Sequence, residues 1–229
     1  MEYINAKDLK KEFLVYGNFY DLKHSSGQII PCRNTLEIYN KKRSSSPGID
    51  LFNDKPDALF IMMNPGSSKP QQDGYVPPGF SCTELSKQLL GQSIVKAKPD
   101  TTQYQLMRIM KAMNWDHVRV LNLSDIRETK SRLFIKQVQN LDNPIHSIFC
   151  SERKEELNKA FAMKNQSHVI CAWGTNKGLL KLANLCLKNI PNMEIIGIAA
   201  EDNLYYHPLP RLKRKQIEWL DKMMEYLAG

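Results

Sequence analysis

Apolar positions fall into short unbroken runs separated by amphipathic stretches. Ala58 to Met63 is one such run, long enough for a strand and without the alternation of a half-buried one. Val118 to Leu123 reads as a second buried strand, interrupted by Asn122, Val169 to Trp173 as a third, and Glu194 to Ala199 as a fourth. Between these runs the period lengthens to that of a helix. Thr83 is placed to cap a short helix ending near Gly91. Thr101 or Thr102 can start another, with Tyr104, Met107, Met110 and Met113 on one face. Helical stretches follow at about 131–141 and 151–163, and Thr175 can cap a helix reaching about Asn189. Residues 212–227 form a closing amphipathic helix. Strands alternating with helices predict an α/β fold: a three-layer α/β/α sandwich around a mostly parallel sheet of about four strands.

The first 50 residues do not fit that rhythm. Phe13 to Leu22 reads as a strand pair or irregular β-structure, and Gly27 to Pro31 as a turn and short strand. Lys41 to Gly48 is a polar, basic loop. The expectation is one domain over 1–229, a basic and aromatic extension (1–50) packed on a core spanning 57–211.

Composition narrows the function. A length of 229 residues with 42% hydrophobic content suits one domain with its own core. The formal charge of +8 points to a polyanionic partner, of which nucleic acid is the commonest. Five scattered cysteines without a CxxC pair read as a reduced, cytoplasmic protein. His146 and Cys150 are four residues apart, but no further ligand lies nearby to make a metal site. No apolar run approaches the roughly 20 residues that a membrane span needs. The expectation is a monomer without metal or cofactor.

In an open parallel sheet, ligands bind beyond the carboxyl ends of the strands. The unusual residues gather there. Asn64, Pro65 and Gly66 follow the first strand, and Asn122 ends the second. Gly174 and Thr175 follow the third, and His207 to Pro210 lies beyond the fourth. Small residues at Gly66, Ser67 and Ser68 can let backbone N–H groups and hydroxyls reach a phosphate.

These segments, in this order, resemble the uracil-DNA glycosylase superfamily. Residues 60–66 (FIMMNPG) resemble its first motif, and residues 120–122 (VLN) the strand end whose Asn reads the base. Residues 169–174 (VICAWG) resemble the third-strand segment, and residues 207–210 (HPLP) the second motif. The resemblance covers about two thirds of the chain and implies a divergent branch, of the mismatch or thymine type, with Asn in the first motif. It implies that Asn64 holds the attacking water and His207 stabilises the departing base. Asn122 would read that base, Phe80 would stack on it, and Pro65 and Gly66 would line the pocket. Leu209, between two prolines, would fill the gap left in the duplex. Arg211, Lys213, Arg214 and Lys215 would hold phosphates, alongside Gly174 and Thr175. An amide is a poor general base, so the chemistry is slower than with a carboxylate or needs a better leaving group. No lysine is placed for Schiff-base chemistry.

The implied activity is hydrolytic excision of a pyrimidine from DNA, leaving an abasic site. The base could be uracil, mismatched thymine, or a hypermodified cytosine such as the glucosylated hydroxymethylcytosine of some phage DNAs. A non-catalytic reader of nucleic acid and a free-nucleoside hydrolase are the alternatives. Persistent binding without abasic sites marks the first, and turnover insensitive to salt marks the second.

Overall fold

In the computed structural model, residues 3–42 and 52–228 are described, so most of the Lys41 to Gly48 loop lies outside the described residues. In chain order the elements are α1 (Ala6–Glu12), β1 (Phe13–Lys23), β2 (Ile29–Asn40), β3 (Ala58–Met62), β4 (Lys69–Pro70), β5 (Gly79–Ser81), α2 (Leu85–Gln88), β6 (Val95–Lys98), α3 (Thr101–Met113), β7 (His117–Asn122), α4 (Ser131–Gln139), α5 (Lys154–Ala160), β8 (His168–Cys171), α6 (Leu180–Asn189), β9 (Ile195–Ile196) and α7 (Lys213–Ala228).

The α/β class holds, but the sheet is mixed and has nine strands rather than about four. Its order is β4-β6-β1-β2-β7-β3-β8-β9, with β5 pairing β1. The run β7-β3-β8-β9 is parallel, and the remaining half is antiparallel apart from the β1–β5 pair. Every residue of β3 and β7 is buried, as the unbroken run of β3 requires. Strand alternation sorts β3 between two layers. Leu59 and Ile61 join Phe134, Leu157 and Ala183 from α4, α5 and α6. Ala58, Phe60 and Met62 join Leu9, Met107 and Trp219 from α1, α3 and α7. Helices therefore cover both faces.

The N-terminal segment is the main correction. Phe13 to Leu22 is one strand rather than a strand pair, and the strand after Gly27 runs on to Asn40. This hairpin is not an extension packed on a finished core, because β2 pairs β7 within the same sheet. Its register shifts where Asn18 pairs Thr35 but Phe19 pairs Arg33, leaving Asn34 as an extra residue. A one-residue bulge reverses which face later side chains meet. Ile30 and Cys32 accordingly pack in one layer, and Leu36 and Ile38 in the other.

Thr101 starts α3 as expected, capped by Asp100 in a reciprocal box with Gln103. Two other helix starts differ from expectation. Glu84 precedes α2 without a side-chain cap, so Thr83 does not serve there. Asn176, rather than Thr175, caps the short 3-10 turn leading into α6. The stretch 151–163 is a 3-10 turn followed by α5 alone. The fourth strand shrinks to Ile195–Ile196. Among the described residues, no helix is long and apolar enough to cross a membrane.

Candidate functional site

The carboxyl ends of β3 and β7 open onto a cavity of about 140 Å³. That far exceeds the roughly 10–15 Å³ one water needs. Asn64, Pro65, Gly66, Asn122 and His207 all line it, so five sequence-predicted residues converge from three segments. Met62, Leu106 and Val120 supply apolar wall, while Arg33 and Asp100 add charge.

Asn64 is half-buried just beyond β3. Its Nδ2 donates to the carbonyls of Ile126 (3.1 Å) and Glu128 (2.6 Å) in the loop after β7. Those two acceptors use both amide hydrogens and fix the side chain's orientation. The free end is the oxygen, which can orient a water.

Asn122 ends β7 and is fully buried, yet neither Oδ1 nor Nδ2 has a hydrogen-bond partner. Buried amides are almost always paired. Both atoms are covered from solvent, and the residue lines the cavity. Asn122 makes no hydrogen bond to the Ser124 and Asp125 turn that follows it.

His207 is half-buried on the loop before α7. Its Nδ1 accepts the Leu209 backbone N–H at 3.1 Å, and burial holds its pKa down to about 4. The ring is neutral at physiological pH and carries its proton on Nε2. Gly174 supports this loop. At φ 103° its N–H donates to the Tyr205 carbonyl at 2.7 Å. That N–H is spent on the fold and is not free for a phosphate.

Other expected contacts fall elsewhere. Phe80 on β5 is buried beside Tyr20, with ring centroids 6.1 Å apart, and does not line the cavity. It is a core residue, not a stacking platform. Ser68 is buried and its hydroxyl donates to the Lys98 carbonyl, so it is unavailable as well, while Ser67 is exposed. Thr175 is exposed beside a second hollow with Lys177 and Tyr206. Leu209 is half-buried, whereas Tyr206 and Leu212 of the same loop are exposed, Leu212 to 65%. Arg211 is exposed, Lys213 lies over the Tyr3 ring, and Arg214 and Lys215 pair with Glu218. Among the described residues no metal-binding cluster occurs, and His146 and Cys150 lie on different turns.

Arg33 and Asp100 are cavity residues that sequence reasoning missed. The fold buries three large guanidinium groups to within 2% of complete. Arg119 meets Glu37, which also holds His117, and Arg153 meets Asp125 and Glu156. Arg33, next to the β2 bulge, leaves Nε and Nη1 without partners and lines the cavity. Burial lowers its pKa to about 10, with Asp100 opposing, so it remains a cation at neutral pH.

A family model described as "Protein of unknown function (DUF1643)" matches residues 92–209, just over half of the chain. The chain belongs to this family. The matched segment carries Asp100, Asn122 and His207, whereas Arg33 and Asn64 lie before it. No curated protein and no solved structure matches the chain.

Proposed function

We propose that the chain is a monofunctional DNA glycosylase, a divergent member of the uracil-DNA glycosylase superfamily that excises a pyrimidine and leaves an abasic site. The observation that carries this reading is Asn122. A fully buried amide with both atoms unpaired, at a strand end beside a cavity, is costly unless a ligand pairs it. One acceptor and one donor suit the hydrogen-bonding edge of a pyrimidine.

The other two motif residues fit the same reaction. The oxygen of Asn64 would hold water toward the anomeric carbon. Nε2–H of His207 would donate to a base oxygen as negative charge grows there. The Arg33 cation, also on the cavity wall, would favour that same charge at short range. The base would be uracil, mismatched thymine or a hypermodified cytosine, and the partner DNA.

The test is alkali-induced strand cleavage after incubation with DNAs bearing uracil, a G·T mismatch, hydroxymethylcytosine or glucosylated hydroxymethylcytosine. The reading requires cleavage of one of them, much slowed in Asn64→Ala. Retention of DNA without abasic sites in any of the panel would overturn it in favour of a non-catalytic reader.

A further inference from the structure

Asn64 can position a water but cannot take its proton at neutral pH, because an amide is hardly basic. Hydrolysis must nevertheless remove that proton. The cavity holds a carboxylate that the motif does not contain. Asp100 sits between β6 and α3 and lines the same wall as Asn64, Asn122 and His207. Its Oδ1 accepts the backbone N–H groups of Thr102 (3.0 Å) and Gln103 (3.2 Å), and its carboxylate also accepts from the Ser67 N–H. Its other oxygen, Oδ2, lies 3.2 Å from where a Cβ on Gly66 would stand. The absence of a side chain at Gly66, at φ 64°, therefore lets the carboxylate approach the loop that carries Asn64. Two buried groups on this cavity, Arg33 and Asn122, have polar atoms without partners, which marks it as a ligand site rather than a helix cap alone.

We propose that Asp100 is the general base of the hydrolysis, supplying the carboxylate that position 64 lacks. This deepens the glycosylase reading and rests on it. In the step, a water lone pair forms the new bond to the anomeric carbon. The bond from that carbon to the base nitrogen breaks, and its electron pair leaves with the base. The water proton passes to Asp100, which later returns it to solvent, and the freed base takes a proton from solvent. While ionised, Asp100 also opposes the positive charge growing on the sugar.

Electrostatics suit the role. Burial raises the Asp100 pKa above the usual carboxylate value, while Arg33 and the three backbone N–H groups limit the rise. A carboxylate made more basic by burial is the better proton acceptor. The charged and titratable groups facing it are Arg33 from β2, Glu128 from the loop after β7, and the neutral His207 before α7. Lys98, two residues upstream, pairs with Asp73 instead.

The test uses the DNA that wild type cleaves in the panel above. Single-turnover base release is followed from acid to alkaline pH for wild type, D100N, D100S and N64A, with thermal melts beside them. Asn and Ser cap helices about as well as Asp, so both variants keep the start of α3. D100N and D100S should lose about 10²–10⁴-fold in rate, the range for a removed general base. They should also lose the fall in rate at low pH that belongs to Asp100, while DNA affinity and melting stay near wild type. N64A should be slow yet keep that acid limb. A D100N rate and pH profile matching wild type would reduce Asp100 to a helix cap and overturn the proposal alone. Wild type releasing no base from any DNA would overturn the glycosylase reading and this proposal with it.

Discussion

Asn122→Val should stabilise the protein while disabling it. Asn122 is inaccessible, and both of its amide atoms lack partners. A buried polar group without a hydrogen bond costs about 1–3 kcal/mol, and valine carries none. Valine also suits β7, a strand buried on both faces, where it would lie beside Met62 and Val120. The expected gain is about 1–3 kcal/mol, since the amide is removed without opening a large void. For a chain of this size that raises the melting temperature by about 2–4 °C per kcal/mol. Urea titration followed by circular dichroism should show a higher midpoint at an unchanged slope. Base release should fall by about 10–100-fold, as expected when 1–3 kcal/mol of base recognition is lost. A variant destabilised by more than about 1 kcal/mol would refute the reasoning, because the amide would then be holding the fold together.

Three further outcomes follow from the same geometry. Phe80→Ala should cost about 3–5 kcal/mol of stability, as buried Phe truncations do, in a denaturant titration. Base release per folded molecule should hardly change, whereas a selective loss of activity would restore the stacking role. Leu212→Ala, at an exposed position, should leave melting unchanged and slow excision from duplex by about tenfold, with single strands spared, because the wedge acts only on stacked DNA. Equal rates on duplex would rule out Leu212 as the wedge. Finally, His146 is buried and its pKa is lowered to about 4, mainly by burial and then by the Arg153 charge. A histidine shifted down from 6.5 favours the fold above pH 6.5 and loses that contribution as pH falls through about 4. The full shift is worth about 3 kcal/mol, so urea midpoints should drop between those pH values, and His146→Gln should flatten the drop.

The parallel half of the sheet was legible because β3 is apolar throughout and β7 and β8 are mostly so, a pattern that depends little on distant residues. The motif residues at its rim were legible for the same reason, since a strand end fixes where the next side chain goes. The hairpin was not. Strand β2 buries Arg33, Asn34, Thr35 and Glu37, a polar run that reads as loop. Each of three finds company far along the chain or next to it: Asn34 donates to Glu156, Glu37 meets His117 and Arg119, and Thr35 donates to Glu37. No local pattern encodes those partners. Phe80 was misplaced for the converse reason. An aromatic on a loop and an aromatic in a core look alike until the neighbouring Tyr20 is seen.

The fate of the three buried arginines gives the N-terminal segment its role. Arg119 and Arg153 each sit against carboxylates, which offsets the cost of burying a cation. Those pairs could be replaced by apolar residues without loss to a site. Arg33 differs only in that its Nε and Nη1 remain unpaired, and the sequence holds nothing to distinguish it from the others. The bulge at Asn34 breaks the alternation of β2 beside it. A regular β2 would keep Ile30, Cys32, Asn34 and Leu36 on one face. The extra residue instead lets Leu36 pack with α3 and α7 while Arg33 reaches the cavity. Residues 13–40 are therefore not an accessory to a finished site. They close the sheet beside β7 and supply the buried cation against which an electron-rich ligand, and the Asp100 carboxylate, would be balanced.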